Sequence, residues 1–286
     1  MKNMGRFRPR KTFRLVAHLR GAFPEQIPMP SWKREEEGLS RDLQDRWGAL
    51  HRHCADQSSH VRLERLIHRL THCDPGVRES ALAELELATQ LIRAGVRVTF
   101  LPESQARTAD LECHLGRDRF FVEVTAMVGS SVRRRVPLRG IAKDEDRGEE
   151  EDRGVVLIHR ILARIQQKAR QLADYCAPVI VHVSIPRADL RGGTNSRREE
   201  IWLDLKELSG AVTMELTKLQ HLSAVSIALW DVEPLPSKAG TRLANVELVE
   251  RTKRQHAQPR VRLLIQNPGA GAGLSERITD VCSATL

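Results

Sequence analysis

The run ESALAELELATQLIRAGVRVTFLPE, residues 79–103, leaves the chain few choices. Leu82, Leu85, Ala88, Leu91 and Ile92 recur at the spacing of one helical face. Asp74-Pro75-Gly76 stands ahead of them as a stop, with Asp74 or Ser80 placed to cap the helix that follows. Gly95 ends the helix, and Val96–Leu101 begins a strand. A helix that passes straight into a strand in this way belongs to a sheet covered by helices.

Next comes ADLECHLGRDRFFVEVTAM, residues 109–127, which alternates about a turn. Leu111, Cys113 and Leu115 share one apolar face, and Phe120, Val122 and Val124 continue it. Matching these faces pairs 111 with 124, 113 with 122 and 115 with 120, around the turn Gly116-Arg117-Asp118-Arg119. On the other face Asp110 then lies across from Thr125, Glu112 across from Glu123, and His114 across from Phe121. Directly opposed like charges destabilise a sheet by some tenths of a kcal/mol, roughly. A divalent cation would relieve them; so would water on an exposed face together with nearby arginines. A half-exposed strand carrying acids for solubility reads the same way.

Three stretches are expected along the chain: a basic arm over 1–30, a helical region over 31–75, and an α/β domain over 76–286. Pro24, Pro28 and Pro30 precede two helices, about 33–56 and 58–73, the second with Leu63, Leu66, Ile67 and Leu70 on one stripe. Residues 129–153 read as a loop rich in charge. A long helix follows at about 155–175, then the strand PVIVHVSI, a helix at about 197–220, and strands in SAVSIALWDV and RVRLLIQN. NPGAGAGL reads as a turn, and no internal repeat is found. The fold class is α/β, a mixed central sheet flanked by helices.

Between 78 and 185 this order resembles the PD-(D/E)xK, or restriction endonuclease-like, nuclease superfamily. Its members share a core of helix, three strands, helix and strand. The resemblance implies a metal site made from a glutamate on the first helix, here Glu84 with Glu86 as the alternative, together with Asp110 and Glu123. Ala109 stands where the family often has proline, and FFVEVT supplies the apolar run into the strand glutamate. Gln171 and Tyr175 form a Q-x3-Y, as in the RecB-like branch. The implied cofactor is Mg²⁺ or Mn²⁺, since carboxylates, a carbonyl and water suit a hard octahedral cation. The implied activity is phosphodiester hydrolysis in DNA, through a metal-bound water.

The family's strand lysine is replaced by Thr125. A threonine orients water but brings no charge, and a lost charged donor costs about 10²–10³ in rate. Lys168, the only lysine between 144 and 205, lies three residues before Gln171 and seven before Tyr175, so all three are expected to project from one helical stripe. From there its ammonium would reach the hairpin; equally, it reads as a surface lysine on an amphipathic helix. Gln171 likewise reads as exposed, with Tyr175 packing the helix end. Arg133, Arg134, Arg135 and Arg139 follow the hairpin and would hold a phosphate backbone, or would neutralise the acidic run at 144–152. The competing reading is the same fold with a decayed site, kept for binding nucleic acid or a partner.

The charge balance admits these readings without deciding among them. The net charge is +9, with nine lysines against 37 arginines. Arginine forks suit phosphate, so nucleic acid, DNA before RNA, is the expected partner. The first 20 residues carry seven cations and no acid, which fits an arm on phosphates, a targeting peptide or a solvated tail. No apolar run approaches a membrane span. Five cysteines without regular spacing and no secretory signal point to reduced thiols in a cytoplasm. The histidines and cysteines at 51–73 lack zinc-ligand spacing. A homodimer through the N-terminal helices is compatible with the pattern, which does not decide it.

Overall fold

The computed structural model describes residues 33–70, 72–102, 108–127, 149–185, 202–230, 233–234, 244–251 and 258–285. Helices α1 (Lys33–His53), α2 (Gln57–Leu70) and α3 (Pro75–Arg93) lead into strands β1 (Arg97–Phe100), β2 (Leu111–Leu115) and β3 (Asp118–Ala126). Then come α4 (Glu149–Ala169), β4 (Val179–Ile185), β5 (Trp202–Leu203), α5 (Leu205–Leu216), β6 (Ala224–Leu229) and β7 (Glu233–Pro234). The chain continues through β8 (Val246–Glu250), β9 (Val261–Gln266) and α6 (Glu276–Thr285). Seven strands form one mixed sheet in the order β1-β2-β3-β4-β6-β9-β8, and β5 pairs with β7 separately. β1, β2 and β3 are antiparallel neighbours, while β3–β4 and β4–β6 are parallel. Parallel neighbours need a crossover, which α4 and α5 provide.

α3 is bounded by its sequence at both ends. The Asp74 side chain accepts from the Gly76 N–H at 2.7 Å, with Pro75 in the first turn, where a missing N–H costs nothing. At the other end the Val96 N–H reaches the Leu91 carbonyl (3.0 Å) and the Gly95 N–H reaches that of Ile92 (2.9 Å). That pairing needs a left-handed residue, and Gly95 supplies it at φ 84°.

The sheet buries both faces. On one, Leu85, Ala88 and Leu91 of α3 share a core with Leu111, Cys113, Val122 and Val124, joined by Leu50, Leu63 and Leu66 of α1 and α2. On the other, Ile161 and Ile165 of α4 share a core with Phe121, Val179, Val181 and Val183. β4 is therefore buried along its whole length, and its apolar run VIVHVSI is what a central parallel strand requires. The N-terminal helices also close the sheet's first edge. The outward N–H of Val98 donates to His53 Nε2 (3.4 Å) and that of Phe100 to Ser59 Oγ (2.9 Å). Burial lowers the His53 pKa, which keeps the ring neutral and able to accept.

Several expectations need correction. The hairpin register is two residues from the expected one: Leu111 pairs with Val122, Cys113 with Phe120 and Leu115 with Asp118. The turn is only Gly116-Arg117, tightened by Gly116 at φ 67°. Glu112 therefore faces Phe121, not Glu123. α4 begins at Glu149, inside the stretch expected to be loop. It ends at Ala169 instead of about 175: the Gln171 and Leu172 N–H groups turn back to Lys168 and Ala169, tightening the backbone out of the helix. α5 starts only at Leu205, where Asp204 caps the Lys206 and Glu207 N–H groups. β8 and α6 went unread. The basic arm and Arg133, Arg134, Arg135 and Arg139 lie outside the described residues. Among the described residues no helix is long and apolar enough to cross a membrane.

Candidate functional site

The site forms where β2 ends and β3 runs on. Asp110 immediately precedes β2, and continuing the register sets it across from Glu123. One step further, Val124 keeps its partner His182 in β4 but is past the last β2 pair, and Asp110 Oδ2 accepts its N–H at 2.9 Å. The Ala109 N–H, also past the last pair, donates to the Tyr175 hydroxyl at 2.8 Å. The Tyr175 ring packs on Phe121, centroids 4.5 Å apart. Tyr175 thus fixes the backbone beside Asp110 from the turn after α4.

Glu123 is buried, 3% exposed, and the Lys168 ammonium donates to its Oε1. Burial, with the charge of Asp110 adding to it, raises the Glu123 pKa to about 7, while Lys168 pulls the other way. Thr125 is buried two residues further along β3. Gln171 bonds Lys168 through its backbone N–H, past the end of α4. The Q-x3-Y pair therefore does not form a helical stripe with Lys168.

Glu84, on α3, is 2% exposed. Its Oε1 accepts from Arg62 Nε (3.2 Å) and Nη2 (3.0 Å), and its Oε2 from Arg69 Nη1 (2.9 Å). The same Arg62 Nη2 donates to Asp110 Oδ1 at 2.9 Å. Burial and then Asp110 raise the Glu84 pKa against the two arginines. Three carboxylates and three cations thus form two adjoining groups, Glu84–Arg62–Asp110 with Arg69, and Glu123–Lys168. Glu112 lies apart, held by His114 Nε2 (2.9 Å) and Arg119 Nε (2.8 Å).

Arg62 and Arg69 were not anticipated as site residues. A signal was present: Ser59, Arg62, Leu63, Leu66 and Ile67 occupy the buried stripe of α2, and a charge on such a stripe demands a partner.

A hard divalent cation needs oxygens converging on one point. Here Glu84 and Asp110 converge on a guanidinium, and Glu123 on an ammonium. No three His, Cys, Asp or Glu side chains among the described residues are arranged to hold a metal. As folded, the site does not fit Mg²⁺ or Mn²⁺. Compared with protein families, curated proteins and solved structures, the chain gives no match.

Glu86, two residues along α3, serves a second polar cluster. It accepts from Arg46 Nη1 at 3.0 Å, and burial raises its pKa to about 7. Beyond it His182, Ser184, Gln90, Trp230 and Arg262 line a shallow cleft. Arg262 donates to Gln90 Oε1 and to the Ala284 carbonyl, both at 3.0 Å. Burial, and then Arg262, lowers the His182 pKa to about 3, so its ring is neutral. Among the described residues, the buried Nε atoms of Arg46 and Arg262 have no hydrogen-bond partner.

Proposed function

We propose that the chain is a nuclease of the PD-(D/E)xK type, hydrolysing phosphodiester bonds in nucleic acid, DNA before RNA. The observation that carries this reading is the meeting of Asp110, Glu123 and Lys168, drawn from the start of β2, the middle of β3 and the last turn of α4. The order α3-β1-β2-β3-α4-β4, with two antiparallel pairings and one parallel, supports it as well. So does the basic balance, which favours a polyanionic partner.

The chain's own residues have defined tasks in this reading. Lys168 neutralises charge on a phosphate beside Glu123, the work that Thr125 cannot do. Glu123, with its pKa near 7, takes up or gives a proton at neutral pH. Tyr175 and the Val124 N–H orient Asp110 and the backbone around it.

A second reading is favoured by one specific observation: Arg62 spans the two acids that would hold a cation, and Thr125 is buried in the lysine's place. It makes the domain a binding module with a lapsed site. Incubation of purified protein with linear, circular and single-stranded DNA in Mg²⁺ and in Mn²⁺ separates the two. The nuclease reading expects cleavage that Glu123→Ala abolishes and Lys168→Ala slows by about 10²–10³. Salt-dependent binding of DNA without cleavage by the wild type would instead support the binding module.

A further inference from the structure

We infer that Arg62 is the resident cation of the acidic site and keeps divalent metal out of it, so that metal loading requires Arg62 to leave; this rests on the nuclease reading. Arg62 is 4% exposed. A single nitrogen, Nη2, is hydrogen-bonded to both Glu84 Oε1 and Asp110 Oδ1, at 3.0 and 2.9 Å. That nitrogen sits at the point where two oxygens from different elements converge, which is the geometry a shared metal ion needs. A guanidinium is never deprotonated in a protein, so a divalent ion cannot enter beside it without strong repulsion.

The remaining oxygens are also engaged. Glu84 Oε2 accepts from Arg69 and Asp110 Oδ2 from the Val124 N–H. All four carboxylate oxygens of Glu84 and Asp110 therefore have partners, and Arg62 contacts both residues. Its position is fixed by the packing of α2: Leu63 and Leu66, next to it on the stripe, are fully buried in the core shared with α3. Ser59 bonds the β1 backbone on the same face. Arginine is suited to the role because its planar fork satisfies two acceptors at once.

The N-terminal helical region thus does more than cover the sheet. It inserts a charge that competes with metal for the same oxygens, which makes the acidic site a lock closed from within the chain. Arg69, one-quarter exposed, secures the outer oxygen of Glu84 and leaves the inner one to Arg62.

The test is Mn²⁺ titration of the full chain without nucleic acid, followed by electron paramagnetic resonance and by calorimetry. Wild type is expected to bind weakly, and Arg62→Gln, which keeps a donor toward Glu84, at least tenfold more tightly. Adding Asp110→Asn to Arg62→Gln is expected to remove the gain. Equal affinity of wild type and Arg62→Gln overturns the inference, as does a folded Arg62→Gln that gains none. Should Arg62→Gln not fold, Arg62→Lys carries the test: its shorter side chain keeps the charge but loses the second contact that Arg62 Nε makes to Glu84, so a smaller gain supports the lock and none overturns it. The readout stands apart from cleavage. Mn²⁺ binding by Arg62→Gln without cleavage by any form would keep the lock and sink the nuclease reading. Cleavage by wild type with no gain in Arg62→Gln would do the reverse.

Discussion

Glu84 and Glu86 are two residues apart on one helix, yet they project into clusters of different character. Around Glu84 each carboxylate oxygen meets a donor, and Arg62 joins two elements through one nitrogen. Around Glu86 the match is looser: among the described residues, Arg46 and Arg262 each bury an Nε without a partner, beside a cleft lined by neutral His182. Both clusters are buried, so burial alone does not separate them. What separates them is satisfaction. A fully bonded set of charges specifies one geometry, whereas a partly bonded one tolerates several.

The sharpest way to break this contrast is to remove one member from each side. Arg62→Ala strips both Glu84 and Asp110 of a hydrogen-bonded arginine, and a broken buried pair costs about 3–5 kcal/mol. Urea denaturation should show a loss of that size, and a loss below about 1 kcal/mol would mean that the bonded cluster contributes little.

Next in size is a pH effect. Folding raises the Glu86 and Glu123 pKa values from 4.5 to about 7. Between those values the folded protein therefore binds protons that the unfolded chain does not. Stability falls as pH rises through that window and is level above it. Each group contributes on the order of 3 kcal/mol to the fall. Glu86→Gln keeps an acceptor for Arg46 and should visibly flatten the profile measured from pH 4.5 to 8. An unchanged slope would assign the dependence elsewhere.

The smallest change is expected for Arg262→Met. Replacing an incompletely bonded buried charge by an apolar side chain of similar length should move stability by about 1 kcal/mol or less, in either direction. If thermal melting instead placed it with Arg62→Ala, the two clusters would be equally demanding and the contrast would fail.

Much of this arrangement is legible in the sequence, and the failures have physical causes. Alternation in the hairpin identifies which residues share a face, but a slip of two residues keeps every face intact. Only the turn decides the register, and Gly116 in a left-handed conformation permits the shorter one. The slip matters, because it sets Asp110 rather than Glu112 opposite Glu123. The end of α4 is hidden because Leu172 and Tyr175 continue an apolar spacing after the backbone has left the helix. Lys168 stands on Glu123, one of the two readings its place on the helix allowed, although the stripe with Gln171 and Tyr175 behind that reading does not form because the helix ends at Ala169. Arg62 is different: its partners are 22 and 48 residues away, and the angle at which α2 crosses α3 determines whether it meets them. No spacing rule encodes that angle.

The bonds from His53 and Ser59 to β1 have a consequence for the molecule's sociability. An edge strand with open N–H groups is a template on which another chain can continue the sheet. Here both outward donors, Val98 and Phe100, are spoken for by side chains from the two preceding helices. The same helical region that brings Arg62 to the acids also denies this margin to a neighbouring molecule, so a single stretch of sequence governs what enters the site and what adheres to the sheet.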